Sequence, residues 1–389
     1  MKVSGRYLLM SIRLITHLPK SVITNYLKPT YKMINVTKTY LPPIEEYQTY
    51  VERIFKSNQL TNNGPLVREL EQKLKDFLGV KHCLFVSNGT IAIQIALKVL
   101  GIKKEVITTP FSYCATTHSL IWENCKPVFA DILTSDFCID PQKVEEQITE
   151  NTEAILATHV YGNPCNVDKL AAIAQKHKLK LIYDAAHCFG VKVNGTSIFN
   201  YGDISTCSFH STKVFHSTEG GAIFTDNDEY AYLVDRYRSF GHIGDNYLTI
   251  GINGKNSEFH AAMGLCVLPN VPEIIESRRQ IFDLYDSILN WNKLIKPLVT
   301  LPTEHNYAYY PIFLDSESTL LKVREKLEAQ QIFPRRYFYP SLSSLKFVTN
   351  ENNCPICDDF AIRAMALPLY FDLAHDDVKK IAEIVNSCL

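Results

Sequence analysis

KLIYDAAHCFG at residues 180–190 and CSFHSTKVFHSTEGGAIFTD at residues 207–226 decide the fold. The first begins as a short apolar run and ends in a carboxylate, Asp184. The second starts within another run, STCSF (205–209), passes through a polar loop that holds Lys213, and enters a third run, AIFTD (222–226). Short apolar runs bounded by turn residues read as strands buried on both faces. Asp184 therefore lies at a strand exit, and Lys213 lies 29 positions later in a loop that follows the next strand.

Working outward, the same pattern repeats. Runs at 83–86, 105–109, 127–131 and 154–160 alternate with helical stretches at 89–100, 141–148 and 167–179. Such alternation predicts an α/β fold with a mostly parallel central sheet covered by helices, whose ligands bind at the carboxyl ends of the strands. Upstream, Ile44, Tyr47, Val51, Ile54 and Phe55 after Pro43 form one helical stripe; Leu66, Leu70, Leu74, Phe77 and Leu78 form another, which Gly79 can end. Downstream, residues 264–291 read as the helical joint to a smaller α+β unit. That unit holds YYPIFLD, a helix over 316–331, RRYFYP and a terminal helix over 376–388. The expected organisation is an extension over residues 1–32, a large domain with an amino-terminal arm over 33–265, and a small carboxy-terminal domain over 266–389.

Composition excludes several classes. The 389 residues carry 40 Lys plus Arg against 41 Asp plus Glu, so no surplus of positive charge is available for a nucleic-acid backbone. No uncharged apolar stretch is long enough to cross a bilayer. The 11 cysteines are odd in number and scattered through apolar runs, as reduced thiols in a cytoplasmic core would be. The pair Cys354 and Cys357 has no second pair at zinc spacing, and no metal site is expected. The first 32 residues differ from the rest: they hold Lys2, Arg6, Arg13, Lys20, Lys28 and Lys32 and no acid. They read as an appendage, disordered or loosely docked, that is too interrupted for a secretory signal.

Taken singly, the polar candidates have ordinary explanations. Asp184 could cap a helix or pair with a cation, Lys213 could be a solvated lysine, and Ser87-Asn88-Gly89-Thr90 could be a helix cap. Together they match the requirements of pyridoxal 5′-phosphate: an amine for its aldehyde, a carboxylate to keep the ring nitrogen protonated, and hydroxyls with a helix amino end for the phosphate. Ser208, five residues before Lys213, adds a second hydroxyl.

The ordered motifs LTNNGPLVRELEQKL, VSNGTIAI, TPFSYCATTHSL, PVFADI, HVYGNP, DAAHCFG, CSFHSTKVFHSTEGGAIFTD, GINGKNSEFHAAMGL and LPLY resemble the DegT/DnrJ/EryC1/StrS family of sugar aminotransferases from Met33 onward. The resemblance implies the type I fold of pyridoxal-phosphate aminotransferases, with Lys213 as the cofactor-anchoring lysine and Asp184 on the ring nitrogen. It also implies His187 near the ring and its phenolic oxygen, Tyr113 on the ring face, and Gly89, Thr90 and Ser208 at the phosphate. Asn253 matches an asparagine that reaches the phosphate of the neighbouring subunit, which implies a homodimer with shared sites; read alone, Gly251 to Gly254 is a turn. The family's dehydratases carry His in place of the lysine, so Lys213 favours transamination. Val214 and Phe215 depart from the Asn and Leu of many relatives without removing a catalytic group.

The substrates so implied are L-glutamate and a nucleotide-linked keto sugar. TKTYLPPIEEY, LTNNGPLV, FHSTKVFHSTEGG and RRYFYPSL look most like the branch that forms dTDP-4-amino-4,6-dideoxyglucose. That branch implies amination at C4 of dTDP-4-keto-6-deoxyglucose; the alternatives are amination at C3 and a cofactor-binding regulator without turnover. Arg335 and Arg336 are candidates for the sugar diphosphate or a carboxylate, or else belong to a surface strand. His159, His210, His216 and His242 read individually as structural.

Overall fold

The structure is a computed structural model that describes residues 33–299, 301–348 and 353–389. The extension expected over residues 1–32 lies outside them. Two helices, α1 (Ile44–Ser57) and α2 (Pro65–Leu78), precede the first long strand, β1 (His82–Val86). Pro65 opens α2, and Gly79 closes it with a left-handed φ of 65°. Then follow α3 (Gly89–Val99), β2 (Glu105–Thr108), α4 (Cys114–Trp122), β3 (Lys126–Phe129), β4 (Thr152–Thr158), α5 (Val167–His177), β5 (Lys180–Asp184), β6 (Ile204–Ser208) and β7 (Gly221–Thr225).

The seven strands form one sheet in the order β1-β7-β6-β5-β4-β2-β3. Only β7 runs against its neighbours. Alternate side chains leave the sheet on opposite faces, and both faces are buried. Cys83 and Phe85 of β1, Ile155 and Ala157 of β4, and Leu181 and Tyr183 of β5 enter one core. Leu84 and Val86, Ala154 and Leu156, and Ile182 enter the other, beneath α3. This explains why the strands read as continuous apolar runs rather than alternating ones. The order of connections leaves Thr158, Asp184 and Ser208 at the carboxyl ends of the adjacent strands β4, β5 and β6.

After β7 come α6 (Asp228–Tyr237), α7 (Glu258–Val267) and α8 (Val271–Ile288). The helical joint expected over 264–291 is thus two helices separated by a 3₁₀ turn at Leu268–Asn270. Pro269 and Pro272 interrupt the backbone ladder there, because each lacks a donor N–H. The 18-residue α8 links two cores: Val271 and Ile274 pack with the sheet, Ile281 and Tyr285 with the carboxy-terminal elements. Those elements are β8 (Tyr310–Phe313), α9 (Glu317–Glu328), α10 (Pro355–Arg363), β9 (Ala364–Leu367) and α11 (His375–Asn386), with β8 and β9 antiparallel. Ile34–Asn35 pairs in parallel with Ile332–Phe333, and Ile34 joins the carboxy-terminal core. Among the described residues no helix is long and apolar enough to cross a membrane.

Candidate active site

A cavity of about 280 Å³ opens at the carboxyl edge of the sheet, and Gly89, Thr90, Tyr113, Asp184, His187, Ser208 and Lys213 all line it. Each arrives from a different local cause. Asn88 caps α3: its side chain accepts the Ile91 N–H at 2.8 Å, and its carbonyl accepts the Ala92 N–H at 3.1 Å. The amides of Gly89 and Thr90 precede that ladder at the positive end of the helix dipole, as an anion site requires. A Cβ on Gly89 would lie 3.0 Å from Cβ and 3.3 Å from Cα of Ser208, so the glycine lets the start of α3 and the end of β6 approach closely.

Asp184 ends β5 and is buried. Its Oδ2 accepts the Thr116 hydroxyl at 2.7 Å and its Oδ1 accepts the Ala186 N–H at 3.2 Å. Burial pushes its pKa up, opposed by these two donors and by the charge of Lys213. The Nδ1 atom of His187 is buried without a hydrogen-bond partner. Burial, with a smaller contribution from Lys213, holds the His187 ring well below the usual imidazole range, and therefore neutral near pH 7. The ring stacks on Phe338 at 5.7 Å and meets Tyr309 edge-on at 4.8 Å.

Lys213 sits in the turn after β6, with its Nζ donating to the Tyr309 hydroxyl at 3.2 Å. Tyr113 is the residue before α4 and is 51% exposed, free to cover a ring lying in the cavity. An amine, a buried acid, an unpartnered imidazole nitrogen and a helix end that glycine brings close to Ser208 fit pyridoxal phosphate. Lys213 would take its aldehyde, Asp184 its ring nitrogen, and Gly89, Thr90 and Ser208 its phosphate.

The remaining candidates divide. Arg335 lines the cavity above the Tyr337 ring, whereas Arg336 is held by Glu317 and the Ile362 carbonyl. His210 lines the cavity. His159 is buried against Tyr183 with its pKa lowered by burial to about 3, and its Nδ1 accepts the Cys165 N–H. His216 hydrogen-bonds the Tyr40 carbonyl, and His242 lies in a small hairpin with Asn246–Tyr247. Asn253 is exposed, pairs through its backbone with Ser239, and does not line the cavity within the single chain. Cys354 precedes α10, and the thiol of Cys357 contacts the Ser341 hydroxyl.

Sequence reasoning missed Tyr309, Thr116, Ser112 and Thr158, which lie in or beside this cavity. Tyr309 is one of three tyrosines in NYAYYP, a stretch that reads as core. The hydroxyls stand within TPFSYCATTHSL and AILATHV, and nothing in their spacing points to Asp184.

The sequence pattern of the DegT/DnrJ/EryC1/StrS aminotransferase family matches residues 43–386. A dTDP-4-amino-4,6-dideoxy-D-glucose transaminase of Shigella dysenteriae is 41% identical over 366 residues, which is 91% of this chain and 99% of that protein. A transaminase of the same name from Escherichia coli is 38% identical, with 91% and 98% covered. The crystal structure of DesI in the presence of its TDP-sugar product superimposes with a TM-score of 0.86 at 30% identity, covering 92% of this chain and 93% of that one. The strand order, the cavity at the sheet edge and this breadth of similarity lead to one conclusion: the chain belongs to the DegT/DnrJ/EryC1/StrS aminotransferase family.

Proposed function

We propose that the protein is a pyridoxal-phosphate-dependent nucleotide-sugar aminotransferase that moves the amino group of L-glutamate to C4 of dTDP-4-keto-6-deoxyglucose. The single observation that carries the cofactor reading is the convergence of Lys213, Asp184 and the Gly89–Ser208 cradle on one cavity. The sugar rests on the two similar transaminases, whose names specify a 4-amino-4,6-dideoxyglucose product.

Bound pyridoxal phosphate supplies an electron sink for Cα–H cleavage and carries the amino group from donor to acceptor. The chain's own residues do the rest. Asp184 holds the proton on the ring nitrogen, and its buried setting strengthens that contact. Lys213 takes the proton from Cα of glutamate, and in the second half-reaction returns a proton to the sugar carbon that receives nitrogen. The Tyr309 hydroxyl holds the Lys213 amine within the cavity. Tyr113 covers the ring face, and the amides of Gly89 and Thr90 with the Ser208 hydroxyl bind the phosphate. Arg335 at the cavity edge is an anchor for an anionic group of either substrate.

The reading includes a homodimer in which Asn253 of each subunit completes the other's phosphate site. Support comes from large apolar side chains exposed in the single chain: Phe55 at 72%, Tyr247 at 75% and Ile250 at 88%. Phe55 lies on the apolar stripe of α1, of which only Ile54 is buried. The reading places the protein in the cytoplasm, in keeping with its 11 free cysteines.

The test is the product. Incubation with dTDP-4-keto-6-deoxyglucose and L-glutamate should give a sugar whose NMR spectrum places nitrogen on C4. Nitrogen on C3, or no amino sugar, would reject the assignment.

A further inference from the structure

Several buried hydroxyls near the site end on a backbone carbonyl. Thr108 donates to Leu156, Ser119 to Ala115, Ser205 to Tyr201 and Thr206 to Tyr183. Three others do not. Thr116 donates to Asp184 at 2.7 Å, Ser112 and Thr116 are 2.7 Å apart, and Thr158 donates to Ser112 at 3.2 Å. All three are buried, and they come from different places: the first turn of α4, the loop before it, and the end of β4.

An ionised carboxylate only accepts, and a hydroxyl has one proton to give. With Asp184 ionised, the Thr116 proton points at Asp184, so Ser112 must donate to Thr116 and Thr158 to Ser112. Protonation of Asp184 on the oxygen facing Thr116 would make Asp184 the donor and turn the Thr116 proton away from it, so this order of donors is required only by the ionised acid. The arrangement is therefore coupled to the charge of one acid.

We propose that Thr116, Ser112 and Thr158 are positioning residues, a one-way chain of hydroxyl hydrogen bonds that keeps Asp184 ionised and oriented toward the cofactor ring nitrogen. The inference rests on the function proposed above. Donation to the charged form favours it over the neutral form, and aligned hydroxyls polarise one another. The other titratable groups around Asp184 are Lys213, His187, Cys188 and Cys207. Lys213 alone favours the carboxylate; the thiols and the neutral imidazole do not supply a charge to balance it. The hydroxyl chain offsets the burial that pushes Asp184 toward neutrality.

The test uses the holoenzyme and the pH dependence of kcat and of the bound-cofactor absorbance. Thr116→Val removes the donor at nearly constant shape, Thr116→Ser keeps it, and Thr158→Val cuts the far end. Thr116→Val should lower kcat by about 10- to 100-fold near neutral pH with little change in KM, and move the acid limb to higher pH. Thr116→Ser should restore the wild-type profile, and Thr158→Val should shift it in the same direction by less. Wild-type profiles in both valine variants would overturn the proposal. Should Thr116→Val fail to fold, an unmoved acid limb in Thr158→Val and Ser112→Ala would overturn it equally. A wild-type enzyme without the cofactor band or turnover would instead reject the function on which the proposal rests.

Discussion

Asp184 and Glu258 are both buried acids, and their surroundings could hardly differ more. Glu258 accepts the Leu66 N–H at 2.7 Å and the Val67 N–H at 3.0 Å, which are unpaired donors of the first turn of α2. The packing is so close that a Cβ on Gly64 would fall 2.6 Å from its Cδ. Asp131 behaves alike, accepting the amides of Ile132, Ile356 and Cys357 at 2.9 Å. Asp184 has one hydroxyl and one longer amide contact, and it faces a cavity shared with the unpartnered Nδ1 of His187. Both Glu258 and Asp184 accept two donors. What separates an acid that fixes a helix end from one that awaits a ligand is the kind of donor, two helix-start amides against a hydroxyl and a long amide contact, and the open cavity that only Asp184 faces. A site whose polar groups are left under-satisfied in the free protein is destabilised there and gains on binding.

The comparison can be broken most directly at the amine. Lys213→Ala should reduce amination by at least ~10²–10⁴-fold, since it removes the group that moves the proton; steady-state assays with both substrates measure the loss. Next comes the pair of acids. Asp184→Asn should lower kcat by about 10²–10³-fold, whereas Glu258→Gln should leave kcat within a few-fold of wild type and destabilise folding by about 1–3 kcal/mol. Denaturant unfolding and kinetics on the same two proteins would reverse the assignments if the stability loss fell on Asp184 and the activity loss on Glu258.

A smaller effect concerns the cofactor-free protein. Burial raises the folded pKa of Asp184 above the ordinary carboxylate value of the unfolded chain, so its contribution to stability is full below that ordinary value and declines as pH rises through the folded value. Asp184→Asn should therefore raise the thermal midpoint of the apoprotein at pH 7, by about 2–4 °C per kcal/mol relieved, and lose that advantage at pH 3. Equal midpoints at pH 7 would show that the carboxylate is already satisfied without cofactor. The smallest effect is expected at Tyr309→Phe, which removes the hydroxyl 3.2 Å from Lys213. A decline in kcat of about tenfold or less, with KM nearly constant, would fit one lost hydrogen bond.

Much of the scaffold was legible in the sequence because strands buried on both faces leave unmistakable apolar runs. Residues 83–86 and 180–184 fall within β1 and at β5. The helix α4 was not legible. Its sequence CATTHSLIW buries Thr116, Thr117 and Ser119 along with Leu120, so it shows no clear polar face. The same hydroxyls look like loop residues until β5 places Asp184 beside them. Lys213 and Asp184 could be picked out only as a set, an acid and an amine after successive buried strands together with the helix start at Ser87–Thr90; Tyr309 could not, because its partner is 96 positions away and aromatic residues in an apolar run read as core. The stripe on α1 was visible, but Ile44 and Phe55 remain exposed in the single chain at 58% and 72%, so periodicity alone could not say what covers them.

The central claim is that one amine, opposite one under-satisfied acid, anchors the cofactor. The most direct measurement is borohydride reduction of the pyridoxal-phosphate-loaded protein, followed by peptide mass mapping. A single modified residue at Lys213, absent from Lys213→Ala, is the predicted result. An adduct on another lysine, one that persists in Lys213→Ala, or none in wild-type protein supplied with cofactor would contradict it.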